Sequence, residues 1–220
     1  MKRAIITLAI ILGLTGFLSG QQADKYTPLY YHRASLFEKL PVNKSDIIFL
    51  GNSITHYGEW AEIFNNKHVK NRGISGDIVE GVYDRLDPIL KGQPKKIFLL
   101  IGINNLSRNY SVDSVLNGIV KIADKISTES PRTKLYIQSV FPVNETLTTY
   151  LKHAKRGPQI IELNKGLKEM CAEKGLTYID VYPVLKSKDS ENLDPKFTKD
   201  GLHLNGDGYM VWKEVLKKYL

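Results

Sequence analysis

Ser53 follows an apolar run and a glycine, a placement that suits a reactive hydroxyl. Residues 47–50 are Ile, Ile, Phe and Leu, which favour a strand buried on both faces. Gly51 and Asn52 allow the sharp turn that ends such a strand. Because ligands bind at the carboxyl ends of strands in open α/β sheets, Ser53 could act there as a nucleophile or hold a phosphate. The alternative is that Ser53 only caps the helix that follows, since serine is a preferred N-cap residue.

Asp200 and His203 have a spacing that can join a carboxylate and an imidazole on one side of a turn. Asp200 would accept a hydrogen bond from one ring nitrogen and leave the other nitrogen facing Ser53. This arrangement fixes the histidine tautomer and stabilises the imidazolium that forms when the ring takes the serine proton. An isolated Asp-x-x-His is otherwise an ordinary surface turn. Here it follows the last predicted strand and precedes the last predicted helix, which returns it to the edge that carries Ser53.

Two further strand ends carry short, polar, glycine-bearing loops. Gly73 follows the second predicted strand and lets a backbone N–H approach a ligand closely. Asn104 follows the third, and its amide N–H groups can donate to a developing oxyanion. The alternative for both is local, because glycine commonly turns the chain and asparagine commonly caps or bends it.

These loops belong to a regular alternation of strands and helices. Strands are predicted at residues 46–50, 68–71, 96–101, 134–141 and 176–181, and helices at 29–40, 59–65, 77–90, 112–130, 158–174 and 206–219. Parallel neighbours need crossover connections, and the crossover helices cover the sheet. The pattern predicts an α/β fold of three layers, with a doubly wound parallel five-stranded sheet. In the last helix, Met210, Val211, Val215 and Tyr219 are the predicted inward positions.

Residues 143–157 form the one long irregular segment, after the fourth strand and at the edge of Ser53. It is predicted either as a wall of the substrate site or as a plain surface loop. Cys171 is the only cysteine and continues an apolar helical spacing, so it is expected in the core and in no disulfide. The histidines lack the paired spacing typical of zinc ligands, and no metal or organic cofactor is expected.

Residues 1–20 are predicted to be a signal peptide. Lys2 and Arg3 precede an almost wholly apolar stretch, and small residues end it at Gly20. The apolar stretch is short of the roughly 20 residues that span a bilayer, so export is expected without a stable membrane anchor. Residues 21–220 would form one domain. Cleavage lowers the formal net charge of +8 by two, and the scattered lysines favour a solvated surface over a nucleic-acid interface.

Taken together, these motifs resemble the SGNH or GDSL-type esterases and acylhydrolases. Four blocks occur in the family's order over nearly the whole chain after residue 20: residues 51–54, Gly73, residues 102–105 and residues 200–203. The resemblance implies Ser53 as nucleophile, His203 as base and Asp200 as its orienting partner. It implies an oxyanion hole made by the Ser53 and Gly73 N–H groups and the Asn104 amide, on a flavodoxin-like sheet with no cofactor.

Two positions depart from the family pattern, because Asn52 and Asn105 stand where aspartate is usual. We expect local turn hydrogen bonds to survive both changes, and we expect Asn105 to contact substrate. The residues of the second and third blocks resemble those of platelet-activating-factor acetylhydrolase-like and sugar O-acetylesterase members. This implies short acyl esters, with acylated carbohydrate as the expected substrate. A lipid-like ester or thioester substrate, and a non-catalytic flavodoxin-like ligand-binding module, are the alternatives.

Overall fold

The predicted sheet is present, with all its strands parallel. The computed structural model describes residues 24–147 and 149–220, so the predicted signal peptide at residues 1–20 lies outside the described residues. The strands are β1 (Ile47–Gly51), β2 (Val69–Gly73), β3 (Lys96–Leu100), β4 (Lys134–Gln138) and β5 (Thr177–Ile179), in the order β2-β1-β3-β4-β5. This order confirms the predicted doubly wound fold.

The helices follow the strands as the alternation predicts. They are α1 (Pro28–Lys39), α2 (Ser53–His56), α3 (Trp60–Ile63), α4 (Val79–Asp84), α5 (Asp87–Lys91), α6 (Ile103–Ser107), α7 (Val112–Glu129), α8 (Leu151–Ala154), α9 (Gly157–Lys174), α10 (Tyr182–Leu185) and α11 (Gly206–Leu216). Short 3₁₀ turns lie at Pro195–Phe197 and Lys217–Tyr219. The long helices use ordinary end signals: the Ser111 hydroxyl caps α7, and Gly175 ends α9 in a left-handed conformation.

Stacked aromatic rings build one face of the sheet. Phe49, Phe98 and Tyr136 lie in register on β1, β3 and β4, with ring centroids 5.1 and 4.6 Å apart. Trp60 of α3 stacks on Phe49 at 4.1 Å, and Trp212 of α11 meets Trp60 edge-on at 4.6 Å. This face is therefore covered by α3 and α11.

The long helix α7 packs between α4 and α9 to form a second helical layer. The predicted core stripe of α9 is confirmed, since Ile160, Leu163, Leu167 and Cys171 are all buried. Burial raises the pKa of the Cys171 thiol to about 11, so the thiol is neutral at physiological pH and packs as a small apolar group.

Two sequence predictions are wrong in detail. The helix predicted over residues 77–90 is two helices, α4 and α5, because Pro88 has no N–H to continue the hydrogen-bond ladder. The largest buried side chains of α11 are Tyr209, Trp212 and Leu216. Of the four predicted inward positions, Val211, Val215 and Tyr219 pack partly buried against the core, whereas Met210 is 43% exposed. The large aromatic side chains decide which face of α11 turns inward.

The strand order sets the position of the site. The chain runs from β1 outward to β2 and then returns past β1 to β3, so the loops after β1 and β3 diverge and leave a crevice between them. Ser53 follows β1 and Asn104 follows β3. The fold therefore places these two residues on either side of the crevice.

Candidate active site

Ser53 is the first residue of α2 and does not cap it. The cap is Asn52, whose Oδ1 accepts a hydrogen bond from the Ile54 N–H at 3.1 Å. The alternative interpretation of Ser53 as a mere helix cap is therefore wrong, and its Oγ is available to a partner elsewhere. The predicted turn hydrogen bond of Asn52 is present.

Hydrogen bonds from two neighbouring segments hold the helix that carries Ser53. The Asn71 side chain on β2 donates to the Thr55, His56 and Gly58 carbonyls at 2.9–3.1 Å. From α11, the Tyr209 hydroxyl donates to the carbonyl of Ile54 at 2.7 Å. The nucleophile candidate thus stands on a turn fixed to both β2 and α11.

The loop before α11 delivers Asp200 and His203 to Ser53. His203 Nε2 lies 2.9 Å from Ser53 Oγ, and His203 Nδ1 lies 2.8 Å from Asp200 Oδ2. Asp200 Oδ1 accepts the backbone N–H groups of Leu202 and His203 at 2.9 and 2.8 Å. Because the carboxylate accepts from Nδ1, the neutral ring presents its unprotonated Nε2 to the serine hydroxyl. The structure therefore brings the three predicted residues into one hydrogen-bonded chain.

Asp200 stays ionised in this setting. Burial raises the pKa of its carboxyl, but the hydrogen bonds from the His203 ring and from the two backbone N–H groups outweigh burial and lower it below the usual value. The turn depends on Gly201, which has φ +84° and lies against the Asn144 carbonyl, where a side chain would be 2.9 Å away. A carboxylate held in this way can orient an imidazole and stabilise its protonated form.

Asn104 lies at the start of α6, across the crevice from Ser53. Its Nδ2 donates to the Asp77 carbonyl at 2.8 Å, and its Oδ1 lies 3.0 Å from His153 Nε2. One N–H of the amide remains for another acceptor. Both Ser53 and Asn104 are nearly enclosed, at 6% and 7% exposed, so an oxyanion between them would be shielded from water.

Comparison with known proteins now identifies the family. The model of the GDSL-like lipase/acylhydrolase family matches residues 49–211, a range that includes every residue of the hydrogen-bonded chain. This protein belongs to the GDSL-like lipase/acylhydrolase family. This match confirms the resemblance seen in the sequence motifs. The family is one of hydrolases that act on esters.

Individual relatives fit this assignment. The chain is 31% identical over 106 residues to the platelet-activating factor acetylhydrolase IB subunit alpha2 of Rattus norvegicus, a match that covers 46% of this chain and 45% of that protein. A structure from Streptococcus pneumonia, provisionally named a platelet activating factor, aligns with a TM-score of 0.80 at 27% identity over 87% of this chain and 92% of the other.

A third relative is similar in fold alone. It is a variant of a Geobacillus acetyl-xylooligosaccharide esterase, with a TM-score of 0.64 at 16% identity over 80% of this chain and 94% of the other. Among the curated relatives, the chain spans less than half the length of the acetylhydrolase subunits that it matches.

Two of the predicted site residues of this family member differ from expectation. The side chain of Asn105 is fully buried, accepting from the Val79 N–H and donating to Glu80, so the prediction that it binds substrate is wrong. Its role is to join α6 to α4. The Gly73 N–H donates to Asn71 Oδ1 at 2.8 Å. Its use as an oxyanion donor stays a prediction, and it requires that N–H to change partner.

The need for glycine at position 73 has a direct cause. A β-carbon there would lie 2.3 Å from the His56 backbone nitrogen. Glycine thus lets α2 pack directly on the end of β2, which brings the Ser53 turn against the sheet.

The irregular segment at residues 143–157 lies at this site. It contains α8, and its Tyr150 ring packs edge-on to the His203 ring with centroids 5.2 Å apart. Tyr57, after α2, also packs on the His203 ring, with centroids 5.2 Å apart. Tyr150 and Tyr57 are 38% and 52% exposed, so two accessible aromatic rings lie beside the base candidate.

Sequence reasoning missed residues that support the site. The most buried is Arg85, directly after α4, which pairs with Asp77 at 2.8 Å and donates to the Arg72 and Gly51 carbonyls at 2.8 and 3.1 Å. Asn71 and His153 were also missed. In the sequence Arg85 lies between Asp84 and Leu86, a setting typical of a surface charge, and no sequence signal predicts that it joins two strand ends.

The described residues contain no group of three or more His, Cys, Asp or Glu side chains placed to hold a metal ion. Within residues 24–147 and 149–220, no helix has both the length and the apolar character needed to cross a membrane.

Proposed function

We propose that this protein is a serine esterase that removes short acyl groups, acetyl in particular, from carbohydrate. The observation that carries the proposal is the hydrogen-bonded chain from Asp200 through His203 to Ser53. In that chain the serine proton has an acceptor, and the resulting imidazolium has a fixed counter-ion.

In the acylation step, His203 Nε2 takes the Ser53 proton while Ser53 Oγ attacks the ester carbonyl. The carbonyl oxygen becomes an oxyanion between the Asn104 amide and the Ser53 backbone N–H, which at the first turn of α2 has no acceptor within its own helix. Collapse of the tetrahedral intermediate breaks the bond to the alcohol, which takes the proton from His203. The acyl group is then esterified to Ser53.

Deacylation repeats the sequence with water. His203 accepts a proton from the water as its oxygen attacks the acyl carbonyl, and the same donors hold the second oxyanion. The bond to Ser53 Oγ breaks, and His203 returns the proton to the serine. The carboxylic acid leaves and the free enzyme is restored. These steps require only the chain's own residues, the ester and water.

Two observations support a short acyl group on a sugar. Tyr57 and Tyr150 present exposed rings beside His203, and an aromatic face can receive the apolar C–H face of a pyranose as the leaving group. Acetyl esters are also named in two relatives, the acetylhydrolase subunit and the acetyl-xylooligosaccharide esterase.

The activity is tested with p-nitrophenyl acetate and a serine-directed fluorophosphonate. The wild-type protein should turn over the ester and be labelled at Ser53, and Ser53→Ala should lose both properties. Ser45→Ala, at an exposed serine of the same chain, is the matched control and should behave as wild type. Absence of turnover and of labelling in the wild type would refute the esterase proposal and favour a ligand-binding module.

The substrate class is tested separately. Rates are compared over p-nitrophenyl esters of increasing acyl length, acetylated xylo-oligosaccharides and a lysophospholipid. We expect acetyl to be the best acyl group, and Tyr150→Ala to raise KM for the acetylated sugar more than for p-nitrophenyl acetate. A rate that rises beyond butyryl, or a preference for the lysophospholipid, would show that the substrate is lipid-like.

We also propose that the enzyme acts outside the cytoplasm, because residues 1–20 have the composition of a signal peptide. The full chain is expressed in a bacterial host and the exported fraction is sequenced from its N-terminus. The expected first residue is Gln21. Recovery of uncleaved protein in the cytoplasm alone would contradict the proposal.

A further inference from the structure

His153 takes no part in the mechanism above, yet its side chain reaches the site. It belongs to α8, the single helical turn inside the irregular segment, and its Nε2 lies 3.0 Å from Asn104 Oδ1. The ring is half-buried. A histidine so close to the oxyanion donor is either a packing residue or part of the donor's support.

The hydrogen bonds of Asn104 settle which group faces His153. The Asp77 carbonyl can only accept, so the amide nitrogen of Asn104 must point to it, at 2.8 Å. The amide oxygen therefore faces the histidine. Because that oxygen can only accept, His153 Nε2 must carry a proton and donate it.

The ring supplies this hydrogen bond without bringing a charge. Burial, and then the nearby His203, Arg108 and Arg156, lower the pKa of His153 to about 4. At neutral pH it is a neutral donor. A second positive charge beside His203 would oppose the formation of the imidazolium, and the neutral state of His153 avoids that cost.

We infer that His153 is a positioning residue that holds the Asn104 amide in the orientation needed to donate to the oxyanion. The inference rests on the proposed esterase function. With the nitrogen fixed to Asp77 and the oxygen fixed to His153, the planar amide cannot rotate, and its remaining N–H has one direction. An oxyanion donor that is already oriented needs no rearrangement as charge develops.

Tyr150 links this support to the base. Its ring is edge-on to both imidazoles, with centroids 5.8 Å from His153 and 5.2 Å from His203. The His153 backbone N–H donates to the Tyr150 carbonyl at 2.9 Å, which closes the turn. One short turn therefore contacts the proton-transfer half of the site and the oxyanion half together.

The test compares His153→Gln with His153→Met. The two side chains have similar length and shape, but only glutamine can donate a hydrogen bond to Asn104. We expect the methionine variant to lose about tenfold in kcat on p-nitrophenyl acetate with little change in KM, because the support matters in the transition state. The glutamine variant should stay within about threefold of wild type, since it restores one neutral hydrogen bond. Lys152→Leu, at the exposed neighbouring position, is the control and should be unchanged.

The decisive test introduces His153→Met into the Asn104→Ala variant. If His153 acts through Asn104, His153→Met should cause no further loss of kcat there, because residues that act as a unit are not additive. Two results would overturn the inference. One is equal kcat for the methionine and glutamine variants, and the other is a full further loss of kcat when His153→Met is added to Asn104→Ala. Should the methionine variant melt below the assay temperature, His153→Glu, which presents an acceptor, takes its place with the same expected loss.

The two proposals fail in different ways. A wild-type protein that is labelled at Ser53 and turns over ester, beside a methionine variant equal to it, contradicts the role of His153 alone. A wild-type protein with neither labelling nor turnover contradicts the esterase function, and the role of His153 with it.

Discussion

At the scale of single residues, a substitution of Asn104 best distinguishes a role in substrate binding from a role in catalysis. Its amide touches neither Ser53 nor His203 in the hydrogen-bond network, and it is anchored to Asp77 and His153 on the other sides. In the proposed mechanism its remaining N–H donates to the oxyanion that forms in the crevice. The residue type was predictable from the strand end, whereas its anchoring partners were not, because they come from two separate loops.

Asn104→Ala should therefore lower kcat by about two to three orders of magnitude while KM changes little. The physical reason is the loss of one preorganised donor to the transition state. Steady-state kinetics with p-nitrophenyl acetate measures the effect, and Asn117→Ala, at an exposed position of α7, serves as the matched control. A raised KM with unchanged kcat would assign Asn104 to substrate binding instead.

The neutral state of His153 also makes stability depend on pH. Its folded-state pKa of about 4 lies below the ordinary value of 6.5, so the unfolded chain takes up a proton first as the pH falls. The stability due to this group is complete above pH 6.5 and is lost on the way down to pH 4. The groups that oppose its protonation are His203 from the last loop, Arg108 after α6 and Arg156 before α9.

Urea unfolding at pH 7.5 and pH 4.5 checks this expectation. Wild type should lose more stability between the two pH values than His153→Gln, by about 1 kcal/mol once the partial exposure of the ring is discounted. Identical pH dependence in the two proteins would show that His153 is protonated equally in the folded and unfolded states.

At the scale of elements, the site depends on how α2 is attached to the sheet. The alternation and the glycine-bearing loops predicted which strand ends would meet, and the structure confirms that arrangement. The one-turn helices α2, α6 and α8 were not predicted, because a single turn is too short to show a helical period. Asn71 went unnoticed for a related reason: an asparagine at a strand end is common, and its three acceptors become neighbours only after the chain has turned.

Asn71→Ala should loosen the turn that carries Ser53. It removes the donor shared by three carbonyls and leaves them partly enclosed, so we expect a loss of about 1–3 kcal/mol in the free energy of unfolding. The rate of fluorophosphonate labelling at Ser53 should fall in the same variant, because Ser53 is no longer fixed against His203. Unchanged labelling beside lowered stability would mean that α2 keeps its place through Tyr209 alone.

At the scale of the whole molecule, a single buried arginine ties the elements that form the crevice. Arg85 donates to the ends of β1 and β2 and pairs with Asp77, whose carbonyl in turn fixes Asn104. The hydrophobic pattern predicted the layers of the fold, because strands and long helices have characteristic periodic spacings of apolar residues. It could not predict this tie or the exposure of Met210 on α11, because both follow from which large or charged side chains meet in three dimensions.

Arg85→Met tests the importance of this tie. The arginine and Asp77 side chains are 4% and 0% exposed, so removal of the cation leaves a buried carboxylate without its counter-ion and takes one donor from each of two strand-end carbonyls. We expect a loss of about 3–5 kcal/mol in the free energy of unfolding. Lys125→Met, which breaks the more exposed pair with Asp87 at 2.7 Å, is the control and should cost no more than about 1 kcal/mol.

The pH dependence of the Arg85 variant separates charge from packing. Burial already raises the pKa of Asp77 against the opposing effect of Arg85. Without the arginine we expect burial to raise this pKa further, so that folding takes up a proton there. The deficit relative to wild type should therefore be smaller at pH 5 than at pH 8, as measured by urea unfolding at both values. A deficit that is the same at both pH values would show that Arg85 acts through its hydrogen bonds to Gly51 and Arg72, because only the charge of Asp77 titrates.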